Sequence, residues 1–199
     1  MEHELAELRE QVENCRKCRL WTTRNRPVFG EGSEKTEILL VGLGPGYHEN
    51  LEGRPFVGRA GKLLDKLLEL AGKRKKDVYI TNIIKCFLPD NKATREEIKA
   101  CTCYLDRQIA IIKPGVIILL GNVATKYIFD KCGLRLAPMY NLHGKTFAVP
   151  TLFSQAKIIP MYHPAAALRN PGLRDVLKND WKELYTRRRL KCSRALNKG

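Results

Sequence analysis

Two groups of residues in this chain have the types and spacing to do chemistry. The first is a glycine-rich loop, Gly42-Leu43-Gly44-Pro45-Gly46, which continues into Tyr47-His48-Glu49-Asn50 and lies between the apolar run 37–41 and the leucine-spaced segment 62–68. Strand, glycine loop and helix in that order present backbone N–H groups to an anionic or carbonyl-rich ligand at the carboxyl edge of a parallel sheet. Gly-x-Gly-x-x-Gly is missing, and Gly61-Lys62 is followed by Leu63 rather than Ser or Thr, so the loop is neither a dinucleotide fingerprint nor a P-loop. Taken alone, it has the composition of a tight turn as much as that of a binding loop.

The second group is thiols. Cys15 and Cys18 form a C-x-x-C, and Cys86 and Cys101 follow from two further segments. Soft thiolates gathered in this way suit an iron–sulfur cluster or zinc, and spacing does not choose between them. Free buried thiols are the third reading. Seven cysteines, an odd number, do not suggest a disulfide framework in a reducing compartment. Arg16, Lys17 and Arg19 surround the first pair, and positive charge there favours the metal-binding thiolate.

These groups need a scaffold, and the apolar pattern supplies one. Buried, β-branched or leucine-rich runs at 37–41, 78–86, 116–120 and 157–161 read as strands. Helical spacing marks 4–11, 60–72, 123–132 and 173–190, and Thr94-Arg95-Glu96-Glu97 is a capping box opening a helix to about Ile112. Residues 21–32 read as an extended crossing loop, and 138–153 as a hairpin or an irregular excursion. Strands alternating with helices predict an α/β fold, a parallel sheet of about four strands flanked by helices. Asn82 then falls near the carboxyl end of the second strand, and His163 just beyond the last.

The chain of 199 residues is long enough for one core, so a single domain, 1–199, is expected, with a basic tail from about 187 to 199. Lysine and arginine number 36 against 21 acidic residues, a formal charge of +15 that points to a polyanion such as DNA or RNA. No apolar stretch reaches membrane-spanning length, and the acidic start is unlike a signal peptide, so the expectation is a cytoplasmic protein without membrane partners.

Taken together, Gly42-x-Gly-Pro-Gly46, Gly53-Arg54-Pro55-Phe56-Val57-Gly58, Thr81-Asn82-Ile83-Ile84-Lys85-Cys86, Cys101 and His163-Pro164-Ala165-Ala166-Ala167-Leu168-Arg169 resemble the family-four, iron–sulfur uracil-DNA glycosylases of thermophilic bacteria and archaea. The match runs in order from about Cys15 to Trp181. It implies a three-layer sandwich and a monofunctional DNA repair hydrolase. Such an enzyme flips uracil from single- or double-stranded DNA, cuts its N-glycosidic bond and leaves an abasic site. It further implies that Asn82 reads uracil O4 and N3–H and that Phe56 stacks on the base. His163 would donate to O2 as charge develops, with loop amides near Gly44 assisting. Cys15, Cys18, Cys86 and Cys101 match the ligands of a structural [4Fe-4S] cluster, which leaves Cys103, Cys132 and Cys192 as ordinary thiols. A monomer is implied, and a replication clamp or another repair protein is the further partner it allows.

The sequence departs from that pattern at Leu43, where the family commonly has Glu, and Gly44 offers no side chain where other glycosylases orient water with Asp. Glu49 is then the acid left to position water or steady the sugar cation. Gly46 stands where a bulky ring excludes the thymine methyl group in other uracil glycosylases. Leu168, with Arg169, is the candidate wedge for the gap left by the base, or else a core leucine at the start of a helix. A non-cleaving iron–sulfur DNA-binding protein and a glycosylase for another deaminated base such as hypoxanthine are the alternatives that Leu43 keeps open.

Overall fold

The computed structural model describes residues 2–150 and 155–186. Four parallel strands form the centre: β2 (Ile38–Gly42), β3 (Tyr79–Asn82), β4 (Val116–Leu120) and β6 (Gln155–Met161). The sheet has six strands, because β1 (Glu31–Gly32) pairs antiparallel with β3 and β5 (Phe147–Pro150) antiparallel with β6, giving the order β1-β3-β2-β4-β6-β5. The expected four are thus the parallel core, and each edge carries one antiparallel strand. Segment 138–153 contributes a short helix, α6 (Met139–Leu142), and then the β5 arm of a hairpin.

Side chains of β2 alternate between two apolar layers, as strand geometry requires. Leu39 and Val41 join Leu5, Leu8 and Val12 of α1 (Glu2–Glu13), Tyr104, Leu105 and Ile112 of α4 (Arg95–Ile112), and Ile128 and Phe129 of α5 (Asn122–Lys131). Ile38 and Leu40 join Leu64, Leu67 and Leu68 of α3 (Arg59–Leu70), Ala167 of α7 (Pro164–Arg169), and Leu177 and Trp181 of α8 (Leu173–Thr186). All five residues of β2 and of β4 are buried, which is why these strands read as unbroken apolar runs. The result is the three-layer sandwich.

The capping box is present as expected: Thr94 accepts from Glu97 N–H, and the Glu97 carboxylate accepts from Thr94 N–H. Two local expectations need correction. The strand expected over 78–86 stops at Asn82, where the chain bends at Ile83; Ile83 N–H still bonds to Gly42 O at the end of β2 at 3.0 Å, and Ile84 N–H to Leu43 O in the loop beyond it at 2.8 Å. Within the glycine loop, 47–52 coils into α2 (Tyr47–Glu52), closed by Gly53 N–H bonding to Glu49 O. The final helix is described to Thr186, and the expected continuation to 190, like the basic tail, lies outside the described residues. Among the described residues no helix is long and apolar enough to cross a membrane.

β2 sends its chain towards α3 on one face and β4 sends its chain to α5 on the other, so the carboxyl edge between them is the point where the sheet's winding reverses. That is where open α/β sheets place ligands.

Candidate active site

Gly42 ends β2 opposite Asn82 in the β3 register. A Cβ on Gly42 would lie 2.4 Å from Asn82 Oδ1 and 3.0 Å from Phe56 Cζ, so the bare glycine lets the amide and the ring meet. Asn82 is 2% exposed. Its amide offers an acceptor and a donor side by side, the pattern that complements an N–H beside a carbonyl.

Phe56 is buried and has φ 53°, a left-handed conformation that a non-glycine residue holds only under constraint. Three constraints are present. Lys75 Nζ, ion-paired with Asp65 at 3.0 Å, donates to Phe56 O at 2.7 Å. Glu49 Oε1 accepts from Val57 and Gly58 N–H, each at 2.9 Å. Gly61 lies so close that a Cβ there would sit 1.7 Å from Phe56 O. The ring is thereby stacked on the His163 imidazole, with centroids 5.6 Å apart and planes inclined by 27°.

His163 caps α7, and its Nδ1 accepts from Ala165 N–H at 3.1 Å. With Nδ1 an acceptor, the neutral ring carries its proton on Nε2. Burial pushes the imidazole pKa down to about 4, the Arg169 cation adds to that push, and Glu49 opposes it. The group at this edge is therefore a neutral donor of fixed tautomer.

The other expected residues divide. Gly44 packs so near Leu88 and Ile84 that a Cβ would meet Leu88 Cδ1 at 2.6 Å, and Pro45 O accepts from Leu88 N–H at 3.1 Å, so the loop is braced from behind. Gly46 faces Glu49 Oε2, which a Cβ would approach to 2.9 Å. Leu43 turns away from Phe56 and packs on the α1–α4 layer, where a side-chain carboxylate would meet apolar groups. Leu168 is half-buried and belongs to neither apolar layer, since Ala167 is the core residue of α7, and Arg169 beside it is exposed.

Cys15, Cys18, Cys86 and Cys101 line one small cavity together with Lys17, Arg24, Lys85 and Tyr104. Cys103 is not among its walls and hydrogen-bonds to Ala100 O at 3.6 Å. The thiols surround the cavity rather than meet at a point: among the described residues no three metal-binding side chains converge on a single ion. N–H groups point at two of the sulfurs, Arg24 Nη1 to Cys86 Sγ at 3.1 Å and Lys85 N to Cys101 Sγ at 3.3 Å. Burial raises both thiols, Cys101 to about 12, while Arg24 and Lys85 pull the other way. Two of the three cations expected at the first cysteine pair have other work. Arg19 binds the buried Glu97 at 2.8 Å and Arg16 lies over Trp21, whereas Lys17 stays at the cavity, lying over Tyr104 and donating to Cys103 Sγ at 3.7 Å. Arg24, unremarked in the sequence, is the one that reaches a wall thiol. Four sulfurs lining one small cavity, two of them facing N–H donors, form a set that fits a thiolate-ligated cluster.

Behind Asn82 lies a buried polar network that sequence reasoning missed, formed by Lys85, Thr81, Gln108 and Phe29 O. Burial lowers the Lys85 pKa to about 7 against the pull of the Cys101 and Cys103 thiols. Elsewhere, a groove of about 1240 Å³ runs between α4, α5 and 136–142, and none of Asn82, Phe56 and His163 lines it.

The sheet, the side chains gathered at its carboxyl edge and the constrained loop define a class. Residues 29–190 match the family model of the uracil DNA glycosylase superfamily. Within that class the similarity is to its type-4 members. A type-4 uracil-DNA glycosylase of Sulfurisphaera tokodaii is 46% identical over 182 residues, covering 90% of this chain and 83% of that one. One of Archaeoglobus fulgidus is 42% identical over 181 residues, 90% and 91% of the two chains, and one of Thermotoga maritima is 42% identical over 167, 81% of each. The chain belongs to the type-4 uracil-DNA glycosylase family.

Proposed function

We propose that this uracil-DNA glycosylase works by flipping uracil into the crevice bounded by Gly42, Phe56, Asn82 and His163. The observation that carries the reading is the meeting of three groups from three segments at one glycine-bared edge: the Asn82 amide, the Phe56 ring and the neutral His163. Asn82 accepts from uracil N3–H and donates to O4, whereas the cytosine amino group would oppose the amide's own donor. Phe56 supplies the stacking face. As the glycosidic bond breaks, electrons collect on the uracil ring, and His163 Nε2–H donates to O2, assisted by the backbone N–H groups of Gly44 and Gly46. Water then captures the cationic sugar carbon and loses a proton, which leaves an abasic site.

Glu49 serves this step in two ways. Oε1 holds the Phe56 loop through Val57 and Gly58, which makes it a positioning residue. Oε2, on the Gly46 side, is the oxygen left to orient water or steady the sugar cation. Leu168, half-buried and outside the core, fits the wedge with Arg169 at its side. Cys15, Cys18, Cys86 and Cys101 would hold a [4Fe-4S] cluster, which supplies no electron to a hydrolysis and instead ties α1 and the segment after β3 to α4. The chain acts as one domain and as a monomer, on single- or double-stranded DNA. Its charge of +15 suits phosphate contacts throughout.

Oligonucleotides carrying U opposite G, U opposite A, single-stranded U, T opposite G or hypoxanthine test the reading when cleaved by alkali after incubation. Breaks at uracil alone are expected. Asn82→Ala should lower single-turnover cleavage of uracil about 10- to 100-fold, the value of one lost bidentate base contact. Unchanged rates in that variant, or breaks at hypoxanthine in preference to uracil, would overturn the base assignment. For the cluster, iron analysis should find Cys101→Ala largely depleted and Cys103→Ala fully loaded. The reverse result would make Cys103 the ligand.

A further inference from the structure

Directly behind Asn82 sits a lysine that no step above uses. Lys85 is 1% exposed, yet its Nζ donates to Thr81 Oγ1 at 2.6 Å, to Asn82 O at 2.7 Å and to Gln108 Oε1 at 2.7 Å. The acceptors are themselves anchored. Thr81 Oγ1 donates to Phe29 O at 2.7 Å, and Gln108 Nε2 donates to the same carbonyl at 2.9 Å. Three acceptors therefore converge on Nζ, and the hydroxyl proton among them is already committed, the arrangement an ammonium requires.

Burying an amine here is expensive, and a leucine or methionine would fill the same space more cheaply. What the amine adds is geometry. Thr81 and Asn82 are the last residues of β3, and Lys85 lies three residues past the end, beyond the bend at Ile83, where the N–H groups of Ile83 and Ile84 follow the end of β2 to the Gly42 and Leu43 carbonyls. Its side chain closes that bend back on the strand and pins the Asn82 carbonyl. Its own N–H meanwhile points to Cys101 Sγ at 3.3 Å, and Cys86 is the next residue.

We propose that Lys85 is a positioning residue for base recognition, fixing the Asn82 peptide so that its amide crosses Gly42 at the angle uracil requires, and linking that amide mechanically to the cysteine-lined cavity. The proposal rests on the reading of Asn82 as the group that contacts the base. Lys85 touches no substrate and acts through Asn82 alone.

Lys85→Met keeps the stem and removes the three donors. Four quantities are read on the purified, iron-containing protein: the dissociation constant of free uracil, the affinity for abasic-site DNA, the iron content and Tm. Uracil should bind about tenfold more weakly, since the Asn82 carbonyl loses its partner and the amide its bearing, while abasic-site affinity and iron content stay at the parent value. If that variant fails to fold, Gln108→Leu removes one anchor at a distance from the base and should weaken uracil binding about threefold with the same selectivity. Asn82→Ala is measured in parallel. Should it leave uracil binding intact, the base assignment falls and the Lys85 proposal with it. If Asn82→Ala weakens uracil binding but Lys85→Met and Gln108→Leu do not, or if they weaken uracil and abasic DNA in equal proportion, the base assignment stands and Lys85 is merely structural.

Discussion

Replacing His163 with alanine should lower the single-turnover rate on uracil DNA about 10²- to 10³-fold, the usual cost of deleting one donor aimed at a developing oxyanion. The geometry gives this residue an unusual fixity. Its Nδ1 is occupied by Ala165 N–H, its ring is stacked on Phe56, and its Cβ lies where a side chain on Gly121 would come within 3.2 Å. The donor thus needs no reorganisation as the bond breaks. Binding of abasic-site DNA should change little, because the lost interaction strengthens only as charge reaches the base.

The same residue makes a claim about pH. With its pKa near 4, His163 is neutral throughout the range 5.5–8, so the rate should show no inflection near 6.5 that disappears in His163→Ala. Stability behaves differently. The unfolded chain takes up the imidazole proton near 6.5 and the folded chain only near 4, so between those values the unfolded state holds more protons and acidification favours it. The neutral ring's contribution is complete above pH 6.5 and lost as pH falls to 4. Tm of the parent should therefore drop more steeply over that interval than Tm of His163→Gln. An inflection in rate near 6.5 tied to His163, or parallel Tm curves, would mean that the ring is more solvated than its packing implies.

How much of this was legible beforehand depends on whether the interaction is periodic or between segments. The four parallel strands were visible because burial on both faces leaves unbroken runs such as Val116–Leu120, and the helices because one face must be apolar. Of the edge strands, β5 fell within the segment read as a hairpin or an irregular excursion, but β1 was not visible: it is two residues, Glu31 and Gly32, with no pattern to detect, and its pairing is decided by β3. The strand over 78–86 was overrun because β-branched residues continue past Asn82, while β2, its partner, ends at Gly42 and leaves Ile84 to bond the loop carbonyl of Leu43. Asn82 and His163 could be found from their places at strand ends, and family resemblance gave them roles. Lys85 could not. Its acceptors come from 81, 82 and 108, and nothing local distinguishes it from a solvated lysine. The cations near Cys15 show the converse: adjacency in sequence suggested thiolate partners, and the fold gave Arg19 to Glu97 and Arg16 to Trp21.

Gly61→Ala should leave a folded sheet and an enzyme impaired about 100-fold or more, the scale expected when a positioning element moves by about an ångström. The substitution is at the start of α3, at a residue given no contact with the base, so the expectation comes from its approach to the Phe56 backbone. A methyl group there would lie 1.7 Å from Phe56 O and 2.2 Å from Phe56 C, both backbone atoms, and no rotamer of any side chain relieves that. The 54–58 loop must shift, which draws Val57 and Gly58 from Glu49 and the Phe56 carbonyl from Lys75. Phe56, already at φ 53°, has no easy neighbouring conformation to occupy. Glu49 variants separate the two parts of this argument. Glu49→Ala removes both loop bonds and should fall in the same direction as Gly61→Ala. Glu49→Gln can keep them through its amide oxygen, so it should stay within about tenfold of the parent if the carboxylate serves to hold the loop, since hydrogen bonds to a charged acceptor exceed neutral ones by about 1 kcal/mol. If glutamine is as damaging as alanine, the charge itself acts on the water or the sugar cation, and Oε2 on the Gly46 side becomes the catalytic oxygen. Single-turnover rates for the three variants, read beside uracil dissociation constants, distinguish these cases. A Gly61→Ala enzyme cleaving at the parent rate would show that the Phe56 loop is not the element that orients the base.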